Sequence, residues 1–251
     1  MKNYTVEALI LKRMDFGETD RIITLLTPNH GKIRAVAKGV RRPGSRLAGH
    51  LEPFSHAKVF LAKGRNLDII TQAQTLNQYR ELRADLSAVS MAFYLSELAE
   101  RVSVEGEKNY PLFNLFTQTL SQLATEGERN MLLSWFDLSL LELLGYKPDL
   151  QRCHECGHDI PTQASYTLTA SGLVCRACQD HTAGGICIKA PILANLRLLQ
   201  DGFFDVAGSS LDWKEVTQTR QALQFIMAYT LQRQFRASDF MEKVQRLCPE
   251  A

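Results

Sequence analysis

The sequence lacks any continuous apolar run of about 18 residues, the length that a membrane-spanning helix requires. Near its start only residues 8–11 are consecutively apolar, which is too short for the core of a signal peptide. We therefore expect a cytoplasmic protein that has no membrane partner.

Catalytic motifs are also missing. The chain has neither the G-x-x-x-x-G-K-[ST] phosphate loop nor the G-x-S-x-G nucleophile elbow. The segment "DFGETD" at residues 15–20 carries three carboxylates, and we interpret it as a turn between two strands, with a metal role as the alternative. We expect no enzyme activity and no small-molecule substrate.

The net charge of the whole chain is small, but its first 80 residues carry an excess of positive charge. The net charge is +2, yet residues 1–80 carry 14 basic and 6 acidic residues, and the remainder carries 15 and 21. Such asymmetry predicts a polyanionic partner for the first part. The alternative is a soluble domain whose lysines and arginines happen to cluster.

Residues 1–79 read as a nucleic-acid-binding domain. Five short runs with strand composition are separated by turn signals such as "PNHG" and "GRN". Five strands within about 80 residues favour a small barrel of the OB type. The expected strands are "TVEALILKR", "RIITLLT", "KIRAVAKGV", "AKVFLAK" and "LDIITQAQ".

The third expected strand has one apolar face and one cationic face, because side chains alternate along a strand. It runs into "KGVRRPGSR" at residues 38–46, where four of nine residues are cationic and none is acidic. We interpret this segment as a mobile arm that contacts phosphates, with an ordinary exposed hairpin end as the alternative. Phe54 and Phe60 are expected in the core rather than as stacking platforms. The predicted DNA-binding residues are Lys32, Arg34, Lys38, Arg41, Arg42, Arg46, Lys58, Lys63 and Arg65.

The rest of the chain predicts helices, so the expected class is α+β multidomain, with an inserted cysteine finger. A helical domain is expected at residues 80–149, the finger at 150–182, and further helices at 183–251. One helix is expected at about 85–104, with a core stripe formed by the apolar residues at helical spacing. The stripe comprises Leu86, Val89, Phe93, Leu98 and Val102. A last helix is expected from about Lys214 to Arg236.

Four of the six cysteines form two C-x2-C pairs separated by 18 residues. This spacing is a zinc signature, and four thiolates close a tetrahedral shell, so a structural Zn²⁺ is expected. Disulfides are the main alternative, but they are rare in a reducing compartment. The expected ligands are Cys153, Cys156, Cys175 and Cys178.

The residues around the two cysteine pairs also bear on the expected metal site. Gly157 suits a tight knuckle in which backbone amides point at sulfur. His154, His158 and His181 lie nearby, but four cysteines leave no vacant ligand position. Cys187 and Cys248 are expected to be free thiols, and the finger is expected to brace the helices on either side of it.

Three segments, in order, resemble the RecO family, which mediates recombination in the bacterial RecF pathway. They are "EALILKRMDFGETDRIITLLTPNHGKIRAVAKGVRRPGSRLAGHLEPF", "LLELLGYKPDLQRCHECG" and "CRAC". The resemblance spans essentially the whole chain. It implies an N-terminal OB barrel, a helical region and, in many members, a four-cysteine zinc finger.

The resemblance also implies a function. Family members bind single- and double-stranded DNA and anneal complementary strands without consuming a cofactor. They act with RecR on DNA coated by single-stranded DNA-binding protein, whose acidic C-terminal tail they bind, and they help to load RecA. Two other classes stay open at this point: a zinc-containing RNA-binding module, and a nuclease or strand transferase.

Overall fold

The computed structural model describes residues 3–125, 129–161, 165–182, 184–202 and 212–231, together with Met241 and Val244. The chain divides into two compact units, Met1–Thr125 with Phe235–Ala251 and Glu126–Gln234. Cys248 and the end of the expected last helix, 232–236, lie outside the described residues. None of the described helices has both the length and the hydropathy of a membrane span.

The first unit begins with a closed five-stranded barrel, which confirms the predicted OB-type domain. The strand order around the barrel is β1-β2-β3-β5-β4, with β1 also paired to β4. Neighbouring strands are antiparallel except β3 and β5, which run parallel and close the barrel. The strands are β1 (Asn3–Phe16), β2 (Asp20–Thr27), β3 (Gly31–Ala37), β4 (His56–Ala62) and β5 (Asp68–Asn77).

The barrel interior is filled by small and branched side chains in strict alternation. On β3, Ala35 and Ala37 are fully buried in this core, and Ile33 packs against it. Arg34 and Lys38 are exposed, as the alternation predicts. Small residues on β3 leave room for Ile and Leu on the facing strands of the narrow barrel. The predicted apolar and cationic faces of this strand are confirmed.

Three helices follow the barrel within the first unit. They are α1 (Arg80–Arg83), α2 (Leu86–Val102) and α3 (Tyr110–Leu123). Asp85 caps α2, because its carboxylate accepts from the amides of Ser87 and Ala88. α2 packs on β1 and β2, and α3 packs on β2. Leu9 and Leu26, which are opposed on β1 and β2 and lie outside the interior core, are therefore fully buried on the outer face.

The stripe predicted for α2 is wrong at two of its five positions, because Leu86 is 53% exposed and Phe93 41%. It is confirmed at Leu98, which is fully buried, while Val89 and Val102 are half-buried. The buried residues of α2 combine small side chains with a few long ones. They are Ser87, Ala88, Ser90, Met91, Ala92, Tyr94, Leu95, Ser96, Leu98 and Ala99. Phe93 instead meets Phe54 edge to face, with ring centroids 4.9 Å apart.

The second unit contains three helices and a small sheet. The helices are α4 (Arg129–Leu143), α5 (Ala190–Gln200) and α6 (Trp213–Thr230), and all three pack on one another. α4 is buried nearly all round. Asp137 of α4 and Arg220 of α6 form an ion pair within this core, where both side chains are almost completely buried.

The finger forms a four-stranded sheet between α4 and α5, in the order β6-β8-β7-β9. Its strands are β6 (Asp149–Cys153), β7 (Tyr166–Leu168), β8 (Gly172–Val174) and β9 (Ile186–Ile188). Arg197 of α5 fastens the finger to the helices: its guanidinium donates to the carbonyl of Leu150 at 2.8 Å and to that of Ile160 at 2.7 Å. This arrangement fits the predicted bracing role.

Candidate nucleic-acid interface and candidate metal centre

The predicted DNA-binding cations lie on the barrel and its loops, and most of them are exposed. Lys32 differs, because it is half-buried and its ammonium donates to the Glu100 carbonyl near the end of α2 at 2.7 Å. It therefore ties the barrel to α2. The exposed cations are Arg34, Lys38, Arg41, Arg42, Arg46, Lys58, Lys63 and Arg65.

The loop after β3 is anchored, which corrects the expectation of a mobile arm. The Gly39 amide donates to the Asp20 carboxylate at 2.7 Å, and the Arg41 amide donates to the Thr19 carbonyl at 2.9 Å. Val40 is buried in the barrel core. The Arg41 guanidinium also lies 3.4 Å from the Asp15 carboxylate. The loop thus presents its arginines from a fixed base.

Two of the three acids of "DFGETD", Asp15 and Asp20, make these anchoring contacts. The Gly39 amide, followed by Thr19 and the nearby charges of Lys38 and Arg42, holds the pKa of Asp20 below its usual range. The Arg21 guanidinium lowers the pKa of Asp15 in the same way, with help from Arg41. Sequence reasoning missed this role, although acids that flank a turn beside an arginine-rich loop were a usable signal. Within the described residues these acids form no cluster suited to a metal ion.

A cleft of about 500 Å³ opens at the other end of the barrel. Arg34, Lys32 and Lys63 line it together with Tyr4 and His30. The Lys63 ammonium lies 3.0 Å from the Asp68 carboxylate and 5.0 Å from the centre of the Tyr4 ring. Burial and a hydrogen bond to Asp68 raise the pKa of Tyr4, so its hydroxyl stays protonated. The cleft brings Arg34 and Lys63 together, although they lie on different strands.

The two phenylalanines considered in the sequence behave differently. Phe54 is 2% exposed, which confirms its place in the core. Phe60 was expected there too, but it lies half-exposed on the outer face of β4, between the inward-facing Val59 and Leu61. Lys58 shares this outer face, with its ammonium 5.9 Å from the Phe60 ring centre. The strand's alternation, and not the residue type, decides which way Phe60 points.

The candidate metal centre brings all four predicted cysteines together. Their sulfur atoms lie within 4.8 Å of one another. Four thiolates at this separation can share one metal ion and fill a tetrahedral shell. Of the described histidines near the pairs, none joins this group. Cys187 is an exposed free thiol, as predicted.

Backbone amides surround the first cysteine of this site. Burial raises the pKa of the Cys153 thiol, but hydrogen bonds from the amides of Cys175, Cys156 and Glu155 outweigh it and bring the pKa to about 6. Gly157 has a φ of +73°, and its amide returns to the Cys153 carbonyl at 2.8 Å. The predicted knuckle is therefore present, and it favours the thiolate form that a metal ion requires.

Comparison with known proteins places the chain in a class of DNA repair and recombination proteins. Residues 1–79 match the family model "Recombination protein O N terminal", and residues 83–239 match "Recombination protein O C terminal". The chain belongs to the RecO family.

Individual relatives that align with most of this chain belong to the same family. The DNA repair protein RecO of Roseiflexus sp. (strain RS-1) is 34% identical over 97% of this chain and 87% of its own length. That of Desulforudis audaxviator is 31% identical over 97% of this chain and 98% of its own. That of Desulforamulus reducens is 37% identical over 72% and 71%, respectively. The family resemblance inferred from the sequence is confirmed.

Proposed function

We propose that the protein is a recombination mediator that binds single- and double-stranded DNA and anneals complementary strands without ATP. The observation that carries the proposal is the anchored loop, which presents Arg41, Arg42 and Arg46 beside the exposed Lys38 of the barrel. Membership of a DNA repair family supports DNA rather than another polyanion as the ligand.

The proposed mechanism follows from charge. Two complementary strands repel each other through their phosphates. A surface that neutralises phosphates with Lys and Arg releases counterions and holds both strands at a high local concentration. Base pairing then supplies the free energy of annealing. Because phosphate contacts carry no base information, binding is independent of sequence and falls steeply with salt.

The proposed partners come from the family resemblance. The protein acts with RecR on DNA coated by single-stranded DNA-binding protein, whose acidic tail it binds, and it helps RecA loading. In this proposal it works in the cytoplasm at the nucleoid and acts by binding rather than by catalysis.

The proposed metal is a structural Zn²⁺ held by Cys153, Cys156, Cys175 and Cys178. Four thiolates leave no open position for water or substrate, so the ion supplies cross-linking rather than chemistry. The amide hydrogen bonds to Cys153 favour the thiolate form of this one ligand. With Arg197 linking the finger to α5, the zinc stabilises the helical unit.

The proposed domain boundaries are those expected from the sequence. Residues 1–79 bind DNA, and residues 150–182 form the zinc finger, with β9 (Ile186–Ile188) completing its sheet. Residues 80–149 and 183–251 supply the helices, which belong to both compact units.

Annealing of two labelled complementary oligonucleotides tests the proposal. We expect acceleration without ATP, both with naked strands and with strands coated by single-stranded DNA-binding protein. Absence of acceleration in both cases, with DNA still bound, would reduce the protein to a binding module.

An RNA oligonucleotide of the same sequence tests the first alternative in a competition experiment. Tighter binding to RNA than to DNA would point to an RNA-binding module instead. Product gels with Mg²⁺ check for cleavage, and none is expected.

A further inference from the structure

Two large apolar side chains lie exposed at the end of β1, next to the cationic loop. Met14 is 47% exposed and Phe16 52%. Both belong to the part of β1 that continues past the end of its pairing with β4. An exposed aromatic residue within a charged surface is a common mark of a binding site.

Strand register places both side chains on the outer face of the barrel. Arg13 is opposite Ile23, which points into the core, so the next residue, Met14, points outward with its partner Ile22. Ile22 is opposite Val36, and Val36 is opposite Ile69. These four residues form an apolar band across the strands β1, β2, β3 and β5, and Phe16 lies one outward position further along β1 from Met14.

Cations flank this band on both sides. On one side, Arg34 is opposite Thr24 of β2 and points outward next to Val36. On the other side, Phe16 is opposite Asp20, whose pKa is lowered in part by the nearby charges of Lys38 and Arg42. The apolar band therefore lies between two sources of positive charge.

Met14 and Phe16 are open to solvent at the β1 end of the band, whereas Ile22 beside Met14 is only 7% exposed. Toward the other end of β1 and β2, α2 and α3 pack on these strands, and Leu9 and Leu26 are fully buried. Met14 and Phe16 lie beyond this covered region and keep about half of their surfaces accessible. The helices therefore cover one part of the outer face of β1 and leave these two side chains accessible.

We propose that Phe16 and Met14 form a stacking platform for the bases of single-stranded DNA, which makes this face prefer single strands to duplex. The proposal rests on the proposed function, since it assumes that the barrel binds DNA. Phosphates contact Arg34, Lys38 and Arg42, while unpaired bases lie on the Phe16 ring and the Met14 thioether. Every base has a π-face, so the contact is tolerant of sequence.

Single strands and duplex differ in what they can offer this platform. In a duplex the base faces are stacked on one another, and only phosphates and groove edges remain for contact. In a single strand the faces are available. The platform therefore raises the affinity for single strands alone. Because stacking adds no phosphate contact, it leaves the salt dependence of binding unchanged.

The test is binding of Phe16→Ala to an oligothymidylate and to a duplex of equal strand length across a salt series. We expect the single-strand affinity to fall about fivefold or more, because base–aromatic stacking contributes ~1–3 kcal/mol per base. Duplex affinity and both salt slopes should stay within error. The matched control is Leu76→Ala, which removes a side chain of β5 that is also 52% exposed, and it should leave both affinities unchanged.

Other outcomes separate this inference from the proposed function. If the unaltered protein binds neither DNA, the proposed function fails. If it binds both and Phe16→Ala changes neither affinity, or lowers both equally, the stacking platform is refuted. Circular dichroism confirms folding of the variant. Phe16→Trp gives a second readout: its added fluorescence should be quenched by the oligothymidylate and not by duplex, and equal quenching by both would also refute the platform.

Discussion

Replacing Arg41, Arg42 and Arg46 with alanine removes three exposed charges from the loop after β3. On single-stranded DNA each phosphate contact contributes about 0.7 to the slope of log affinity against log salt concentration. Arg41 is already 3.4 Å from the Asp15 carboxylate, so its contribution is partial. The loss is therefore between two and three contacts, or a slope smaller by about 1.4–2.1.

The same arithmetic gives the expected loss of affinity. Between 1 M and 0.1 M salt, each contact is worth about fivefold, so the triple variant should bind about 25- to 125-fold more weakly at 0.1 M. Fluorescence anisotropy of a labelled oligonucleotide over a salt series measures both quantities. Folding should be unaffected, because exposed ion pairs contribute ~0–1 kcal/mol and the Gly39–Asp20 hydrogen bond remains.

A charge-matched control distinguishes the loop from net charge. Replacing Lys147, Lys189 and Lys214 with alanine removes three positive charges from the second unit. We expect a much smaller change of slope in this variant. An unchanged slope in the arginine variant, or the same loss in both variants, would remove the loop from the DNA-binding surface.

Three further predictions concern stability and the metal. Arg220→Met should destabilise the protein by ~3–5 kcal/mol in urea unfolding, because it removes the ion-pair partner of the buried Asp137 carboxylate, and adding Asp137→Leu should restore most of the loss. Protein prepared without added metal should contain about one zinc per chain, and chelation or Cys156→Ser should lower its melting temperature. Absence of any bound metal would refute the zinc assignment. Because the folded-state pKa of Asp20 lies below 3.8, the stability that it contributes is present above that pH and is lost as pH falls through the folded value. The NMR resonance of the Gly39 amide should shift in that acid range, and Asp20→Ala should shift it at neutral pH. A resonance that moves in neither case would contradict the hydrogen bond between Gly39 and Asp20.

The barrel and the cysteine cluster could be predicted from the sequence because their signals are local. Alternation along β3 determines which residues face the core, and the spacing of Cys153, Cys156, Cys175 and Cys178 brings four thiols within reach of one ion. Neither signal depends on which distant element packs alongside.

The wrong predictions concern residues whose surroundings are determined by a part of the chain that is distant in sequence. Leu86 and Phe93 lie at helical spacing, but α2 packs on β1 and β2 through residues that are rich in alanine and serine. The loop after β3 has the composition of a mobile segment, yet Asp20, about 20 residues earlier in the chain, fixes it. The exposure of Phe16 could not be predicted from the sequence, because it depends on how far α2 and α3 extend over the barrel.

The contact between the barrel and the α2–α3 connection has a consequence for dissecting the molecule. Gly31 bridges to Glu105, and a side chain at Gly31 would have its Cβ 2.2 Å from the Val104 carbonyl oxygen. A fragment that ended at residue 79 would retain every barrel strand but lose this connection, and it would expose Leu9 and Leu26 to water. Such a fragment would be prone to aggregation, whereas one extending through α3 would carry its own cover. The smallest soluble piece that retains the proposed DNA-binding face is therefore longer than the barrel itself.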